Sequence, residues 1–199
     1  MFPLLETIKI KNGKVQRAAL HQQRINSTIS TIFGVSQHPI LLRNIFATTR
    51  KNGQFPSDKT TVFKCRLLYD ANDYFIEFIP YQMKLIQNLT LVNVPLDFDY
   101  AFKYANRDNL NKLIIDNQEV IIVKNDKITD TTYANIALLK KNLWFTPDEP
   151  LLKGTMREYL IHQKIIIPRA IEVGDLKEFS QIKIFNAMIE WNESPSLAL

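Results

Sequence analysis

Five short stretches of this chain hold side chains able to do chemistry. "FKYANR" (102–107) sets Lys103 between two aromatics. Enclosed there, an amine loses hydration, its pKa falls, and the unprotonated form can attack a carbonyl. "KITDTTYANI" (127–136) places Asp130 ahead of small and polar residues and then an apolar run. Such a carboxylate is either a turn aspartate or a buried group facing a cationic ring nitrogen. "KGTMRE" (153–158) offers Gly154, which lets a backbone approach a ligand closely. It also offers Thr155 with Glu158 three residues on, the pattern of a capping box. A helix beginning there presents N–H groups suited to phosphate. Arg24, in "HQQR", lies near the middle of a helix with an apolar face, and Arg66 lies in the strand-like "KCRLLY". Each arginine is either a solvated surface residue or an anion contact. Taken singly, every feature has an ordinary structural reading: a snorkelling lysine, a turn, a capped helix, an exposed cation.

Other chemistries are poorly supported. His21, His38 and His162 are dispersed and give no metal-ligand spacing. A single cysteine, Cys65, allows no intramolecular disulfide and reads as a core residue on a strand. Hydrophobic residues make up 46% and charged residues 23%, an ordinary globular composition. There is no apolar run long enough to cross a bilayer and no leader-like start in "MFPLLETIKI", so a cytoplasmic protein is expected, with no membrane partner. The net charge of +5 comes from scattered residues without a basic block, so no nucleic-acid partner is expected.

These side chains need elements to hold them. "LLETIKIKNGKVQ" alternates about Asn12-Gly13, a hairpin signal. "ALHQQRINSTISTIF" spaces Leu20, Ile25, Ile29, Ile32 and Phe33 for an amphipathic helix ending near Gly34. Pro39 suits the first position of a second helix, with Gly53 as its stop. "TVFKCRLLYD" and "DYFIEFIPY" read as strands around Ala71-Asn72. Beyond a connection at 83–101, "NRDNLNKLIIDN" puts Leu110, Leu113 and Ile114 on one helical face. "EVIIVKN" reads as a buried strand, and "TYANIALLKKNLWFTP" as a hairpin turning at Lys141-Asn142. Lys112 and Lys124, the lysines nearest to Lys103, are expected to face solvent. A helix from Gly154 or Thr155 and the strands "IIIPRAIEV" and "SQIKIFNAMIEW" complete the chain. The expected fold is α+β in two lobes with a cleft between them. A small N-terminal lobe takes 1–82, and a larger cofactor-binding lobe takes 102–199.

The order of these pieces resembles the fold-type IV, or class IV aminotransferase, family of pyridoxal-phosphate enzymes. "LLETIKIKNGKVQRAALHQQRIN" is similar to the family's opening "ET…G…L..H..R", and "FKYANR" to the lyases' Leu-Lys-His-x-Asn-Arg segment. "KITDTTYANI", "LLKGTMREYL" and "FNAMIEW" are similar to later motifs in the same order. The resemblance implies that Lys103 forms a Schiff base with pyridoxal 5'-phosphate and that Asp130 opposes its ring nitrogen. It implies that Arg24, the backbone of Gly154, Thr155 and Met156, and Asn186 with Ala187 bind the phosphate region. Asn135 shapes the Asp130 turn, and Arg66 is a candidate for the substrate carboxylate. Arg24→Ala is then expected to weaken cofactor binding more than folding. The lysine segment points to 4-amino-4-deoxychorismate lyase, which releases 4-aminobenzoate and pyruvate for folate synthesis. Alternatives are a branched-chain or D-amino acid aminotransferase and a non-catalytic phosphate-ligand-binding homologue. A homodimer is implied. Two departures stand out: aspartate replaces the family's usual glutamate at Asp130, and the chain is short before "LLKG" and after "NAMIEW".

Overall fold

At Asn12 (φ 55°) and Gly13 (φ 70°) the chain turns from β1 (Leu4–Lys11) into β2 (Lys14–Val15), with Ile10 opposite Val15. Positive φ at both central residues matches the twist of a two-residue hairpin. The computed structural model describes residues 2–199 apart from 85, 87 and 117. Those three positions fall in the expected 83–101 connection and at the end of the expected 106–117 helix, and lie outside the described residues. The architecture is α+β. It divides into two units: Met1–Met83 with Phe102–Asn106, and Lys84–Ala101 with Arg107–Leu199.

In the first unit β3 (Phe63–Tyr69) pairs antiparallel with β1, and β4 (Tyr74–Pro80) pairs with β3, giving the order β2-β1-β3-β4. Helix α1 (Ala18–Phe33) ends at Gly34, whose left-handed backbone (φ 70°) returns its N–H to Ser30 O. Helix α2 (Leu42–Lys51) starts three residues later than the position predicted from Pro39. The intervening chain folds on itself through Leu41 N–H to Pro39 O, and Gln22 Oε1 accepts the Leu42 N–H at 2.7 Å. Ile8, Ile10 and Leu67 of the sheet pack with Ile25 and Ile29 of α1 and with Leu42, Ile45 and Phe46 of α2. Full burial of such side chains contributes about 1.5–3 kcal/mol each. Ile32 and Phe33, assigned by periodicity to the apolar face, are exposed at the last turn of α1. Residues 102–106 belong to this unit through backbone bonds to the start of β1: Leu5 N–H donates to Lys103 O, and Ala105 N–H to Pro3 O.

In the second unit β5 (Leu89–Val94) runs parallel to β6 (Glu119–Lys124), which turns into β7 (Lys127–Thr131). The expected helix around Leu110 shortens to a single turn, α3 (Asp108–Asn111). Leu110 is buried, but the chain tightens through Leu113 N–H to Leu110 O and reaches a left-handed residue at Asp116. A five-stranded sheet follows. β8 (Asn135–Lys140) turns at Lys141-Asn142, both with positive φ, into β9 (Leu143–Pro147). Helix α4 (Thr155–His162) leads to β10 (Ile166–Arg169), parallel to β9. A 3₁₀ turn (Val173–Glu178), β11 (Gln181–Phe185) and β12 (Ser196–Ala198) complete the order β10-β9-β8-β11-β12. Among the described residues no helix is long and apolar enough to cross a membrane.

Candidate active site

In the first unit the chemistry starts from β1. Side chains alternate along a strand, so Leu4, Glu6, Ile8 and Ile10 share one face, and that face meets α1. Glu6 therefore enters an apolar layer and is fully buried. His21 and Arg24, three residues apart on α1, reach it together. Arg24 donates through Nε to Oε1 at 2.7 Å and through Nη2 to Oε2 at 2.6 Å, and His21 Nδ1 lies 2.6 Å from Oε2. Burial alone would push the Glu6 carboxyl up. The Arg24 guanidinium, the His21 hydrogen bond and the fork geometry reverse that and hold it at about 2. Because Glu6 is ionised and only accepts, His21 must carry its proton on Nδ1; burial lowers the pKa of the ring. Arg24 itself is only 15% exposed. Arg24→Ala would therefore leave a buried carboxylate without its main cation, so a cost in folding accompanies the expected loss of cofactor binding.

Lys103 is anchored next to this group, since its carbonyl accepts from the N–H of Leu5, the residue before Glu6. It is half-buried, and the rings of its neighbours Phe102 and Tyr104 pack edge-to-face with centroids 6.2 Å apart. The neighbouring lysines differ. Lys112 is exposed, whereas Lys124, expected to face solvent, is partly buried and donates to Phe98 O at 2.7 Å. Arg66 forms a cross-strand ion pair with Glu77, its direct partner in the β3–β4 register. It is thereby engaged by a carboxylate of its own sheet. Cys65 is buried in the core, and its thiol is pushed up to about 12 by burial and by Glu6, so it is no nucleophile.

In the second unit Asp130, near the end of β7, is 4% exposed. Its Oδ1 accepts from Asn135 Nδ2 at 2.7 Å, and its Oδ2 from the Leu152 N–H at 2.9 Å. Asn135 also donates to Leu152 O, tying the turn to the loop ahead of α4. Burial pushes Asp130 up to about 7; the two N–H donors and the charge of Arg157 offset only part of it. Arg157 is engaged elsewhere, donating to Pro147 O. Gly154 is required by packing: a Cβ there would fall 2.0 Å from Asn135 Oδ1. So the structure brings together Asp130, Asn135 and Gly154.

The capping box expected at Thr155 is not formed. Gly154, in extended conformation, is the N-cap, and no side chain caps the helix. Thr155 is the first helical residue and is buried, and the Met156 side chain packs in the core with Ala137, Leu160 and Phe185. What this first turn offers a ligand is its backbone, since its N–H groups have no intrahelical acceptor. Asn186 organises the last turn: its Oδ1 accepts from Met188 and Ile189 N–H, and its Nδ2 donates to Tyr133 O at 3.3 Å. Ala187 lies partly exposed within that turn.

Residues 3–193 match the family model for amino-transferase class IV. The chain belongs to the class IV aminotransferase family. It is thus a pyridoxal-phosphate enzyme of α+β fold-type IV architecture. A structure from Haemophilus somnus 129PT, described as a provisional 4-amino-4-deoxychorismate lyase, is 33% identical with a TM-score of 0.87. The match covers 94% of this chain and 97% of that one. An uncharacterized Haemophilus influenzae protein is 35% identical over 192 residues, 94% of this chain and 98% of its own length. A hypothetical aminotransferase from Mycobacterium tuberculosis, with α-ketoglutarate and PMP bound, shares the fold at 15% identity, with a TM-score of 0.78. It is matched over 98% of this chain and 80% of its own. The match therefore runs over nearly the whole length of both Haemophilus proteins.

The residues present fit the cofactor. A buried carboxyl held only by amide donors and poised near neutrality suits a cationic pyridine nitrogen. Three contributors carried no assigned role in the sequence reading. Glu6 organises Arg24. Arg107 Nη2 donates to Thr132 O at 2.6 Å, and Glu119 accepts the Thr132 N–H at 2.7 Å. Together those two clamp the peptide just after Asp130. Glu6 had a visible signal, an acid in the apolar register of β1 opposite His and Arg three apart. The Arg107–Glu119 pair had none, because it depends on a non-local turn.

Proposed function

We propose that this chain is a 4-amino-4-deoxychorismate lyase, producing 4-aminobenzoate and pyruvate, with Lys103 as its catalytic amine. Bound pyridoxal phosphate supplies an electron sink for a carbanion at the substrate carbon bearing the amine. Lys103 Nζ would hold the cofactor aldehyde and, as a free amine, would be the general base for the proton on that carbon. Asp130 would hold the ring nitrogen in its protonated form, and Asn135 and the Leu152 N–H fix the direction of its carboxylate. Arg24 contributes to phosphate binding, oriented by Glu6. The backbone of Gly154, Thr155 and Met156 and the Asn186-Ala187 turn supply the remaining N–H donors. Arg66, engaged by Glu77, is left out of the substrate site.

The observation that carries the cofactor part is the neutral-donor cradle around Asp130. The choice of lyase over aminotransferase is supported by "KYANR" and by the near full-length match to the Haemophilus somnus structure. The expected assembly is a homodimer, to be checked by sedimentation of the active holoprotein.

The test has two stages. Borohydride reduction of the yellow holoprotein followed by peptide mass analysis should place the pyridoxyl group on Lys103, and Lys103→Ala should take up none. A label on another lysine overturns the assignment. Given 4-amino-4-deoxychorismate, the enzyme should release pyruvate and 4-aminobenzoate in equal amounts without an amino acceptor. If it instead forms a 2-oxo acid only when an acceptor is present, it is an aminotransferase.

A further inference from the structure

A cavity of about 820 Å³ lies within the first unit, between the β1–β2 turn, the start of α1 and the start of α2. Its lining includes none of the residues assigned above to cofactor or substrate. Its floor is apolar, built by Val15, Ala18, Leu41, Leu42 and Phe46, and its rim carries Lys14, Arg43 and Arg50. All three cations are exposed, and none forms an ion pair among the described residues. The guanidinium carbon of Arg50 lies over Phe55, 4.1 Å from the ring centroid, and a guanidinium carries five N–H donors.

The sequence explains the bias. Residues 7–57 contain no Asp or Glu, yet hold eight of the chain's lysines and arginines. Surfaces normally intersperse the two signs; a concave apolar floor with a one-sign rim focuses potential on its mouth. The walls are pinned without a ligand. Gln22 accepts from Leu42 N–H at 2.7 Å and donates to Ile40 O at 2.9 Å, locking α1 to the entrance of α2. Volume, floor and rim match a small-molecule pocket, in which apolar contact supplies burial and a few polar groups fix orientation.

We propose that this cavity binds a small amphipathic anion: a carboxylate carried on a compact aromatic or branched apolar body. The body lies against Val15, Ala18, Leu42 and Phe46, and the carboxylate meets Lys14, Arg43 and Arg50. The site is separate from the chemistry assigned to Lys103 and Asp130, so it stands whichever reaction the enzyme runs.

The test is calorimetric titration of borohydride-reduced holoprotein, whose cofactor site is filled, with 2-naphthoate as the anionic probe and 2-naphthalenemethanol as its uncharged counterpart. 2-Naphthoate should bind at one site. The exposed double change Arg43→Glu/Arg50→Glu should weaken it at least about tenfold, the effect of losing some 1.4 kcal/mol, and leave 2-naphthalenemethanol unaltered. Ala19→Trp, at an exposed position of the lining, should block both probes while the unreduced enzyme keeps its turnover. Absence of 2-naphthoate binding, or binding indifferent to both variants, overturns the proposal. So does a change of oligomeric state in Arg43→Glu/Arg50→Glu, which would make this face a contact between copies of the chain.

Discussion

Glu6 in the first unit and Asp130 in the second are both buried carboxylates, and the two behave oppositely. Glu6 and Asp130 are both shielded from water, and each has both oxygens engaged. Yet Glu6 is held at about 2 and Asp130 rises to about 7. Burial pushes both upward. The difference lies in the donors. Glu6 meets a full positive charge on Arg24, whereas Asp130 meets amides, with Arg157 acting only at a distance. A buried carboxylate with its own cation is a finished structural unit. One satisfied in hydrogen bonding but not in charge is set to accept a cation from outside, and in the function proposed above that cation is the ring nitrogen of the cofactor.

The comparison can be broken most forcibly at Arg24. Removing one partner of a buried ion pair costs about 3–5 kcal/mol, so Arg24→Ala should lower the urea midpoint sharply even without cofactor. Glu6→Gln/Arg24→Leu should recover much of that loss, because the amide oxygen introduced at position 6 can still accept from His21. If the single and double variants are equally unstable, the Glu6–Arg24 pair is not what the helix relies on.

Asp130→Asn probes the other carboxylate. Loss of the charge facing the ring nitrogen should reduce turnover roughly 10²–10³-fold, the scale of removing one preorganised electrostatic group, with cofactor retained. The amide will not be a silent replacement. Both oxygens of Asp130 accept from N–H donors, so the new amide nitrogen must face one of them, at a cost of about 1–3 kcal/mol. Unaltered turnover would reduce Asp130 to a turn residue.

These two groups also show how far the sequence could be read. Turns at Asn12-Gly13 and Lys141-Asn142 were legible because their requirement for positive φ is local. The Arg66–Glu77 pair was legible too: a hairpin centred on Ala71-Asn72 sets the two opposite by counting alone. The capping box at Thr155 failed because the local pattern cannot show that Gly154 is wedged against Asn135 and shifts the cap by one residue. The position of Asp130 in the motif order was visible, but not its charge state. That depends on Leu152, Asn135 and the clamp at Thr132, all brought in by tertiary contacts.

Gly154→Ala is a smaller and more local disturbance. The added methyl would fall on Asn135 Oδ1, so Asn135 must move and release Asp130. Overpacking of this kind costs about 1–3 kcal/mol. Asn135→Ser in the same chain should return part of the stability by making room, but not the turnover, since Asp130 then lacks its amide donor. Recovery of both would show that Asn135 has no part in aiming the carboxylate.

The finest distinction between the two carboxylates is their pH dependence, and its signs are opposite. Asp130 has a raised folded pKa, so between the unfolded value of 3.8 and about 7 the folded state binds a proton that the unfolded state has lost. Its contribution is full below about 3.8 and is lost as pH rises through 7, at roughly 1.4 kcal/mol per unit. Glu6 has a depressed pKa, so its contribution is present above 4.5 and is lost as pH falls through about 2. His21, lowered by burial, destabilises the fold as pH falls below 6.5 and partly masks the Asp130 slope. The informative quantity is therefore the difference in unfolding free energy between wild type and Asp130→Asn, followed from about pH 4 to 7 without cofactor. It should decline steadily across that window, whereas the corresponding difference for Glu6→Gln should rise near its lower end and level off above its unfolded value of 4.5. Fixing the cofactor by reduction places a cation against Asp130, keeps it ionised in the folded state and should erase the decline. A slope that persists in the reduced holoprotein would mean that the ring nitrogen does not reach Asp130.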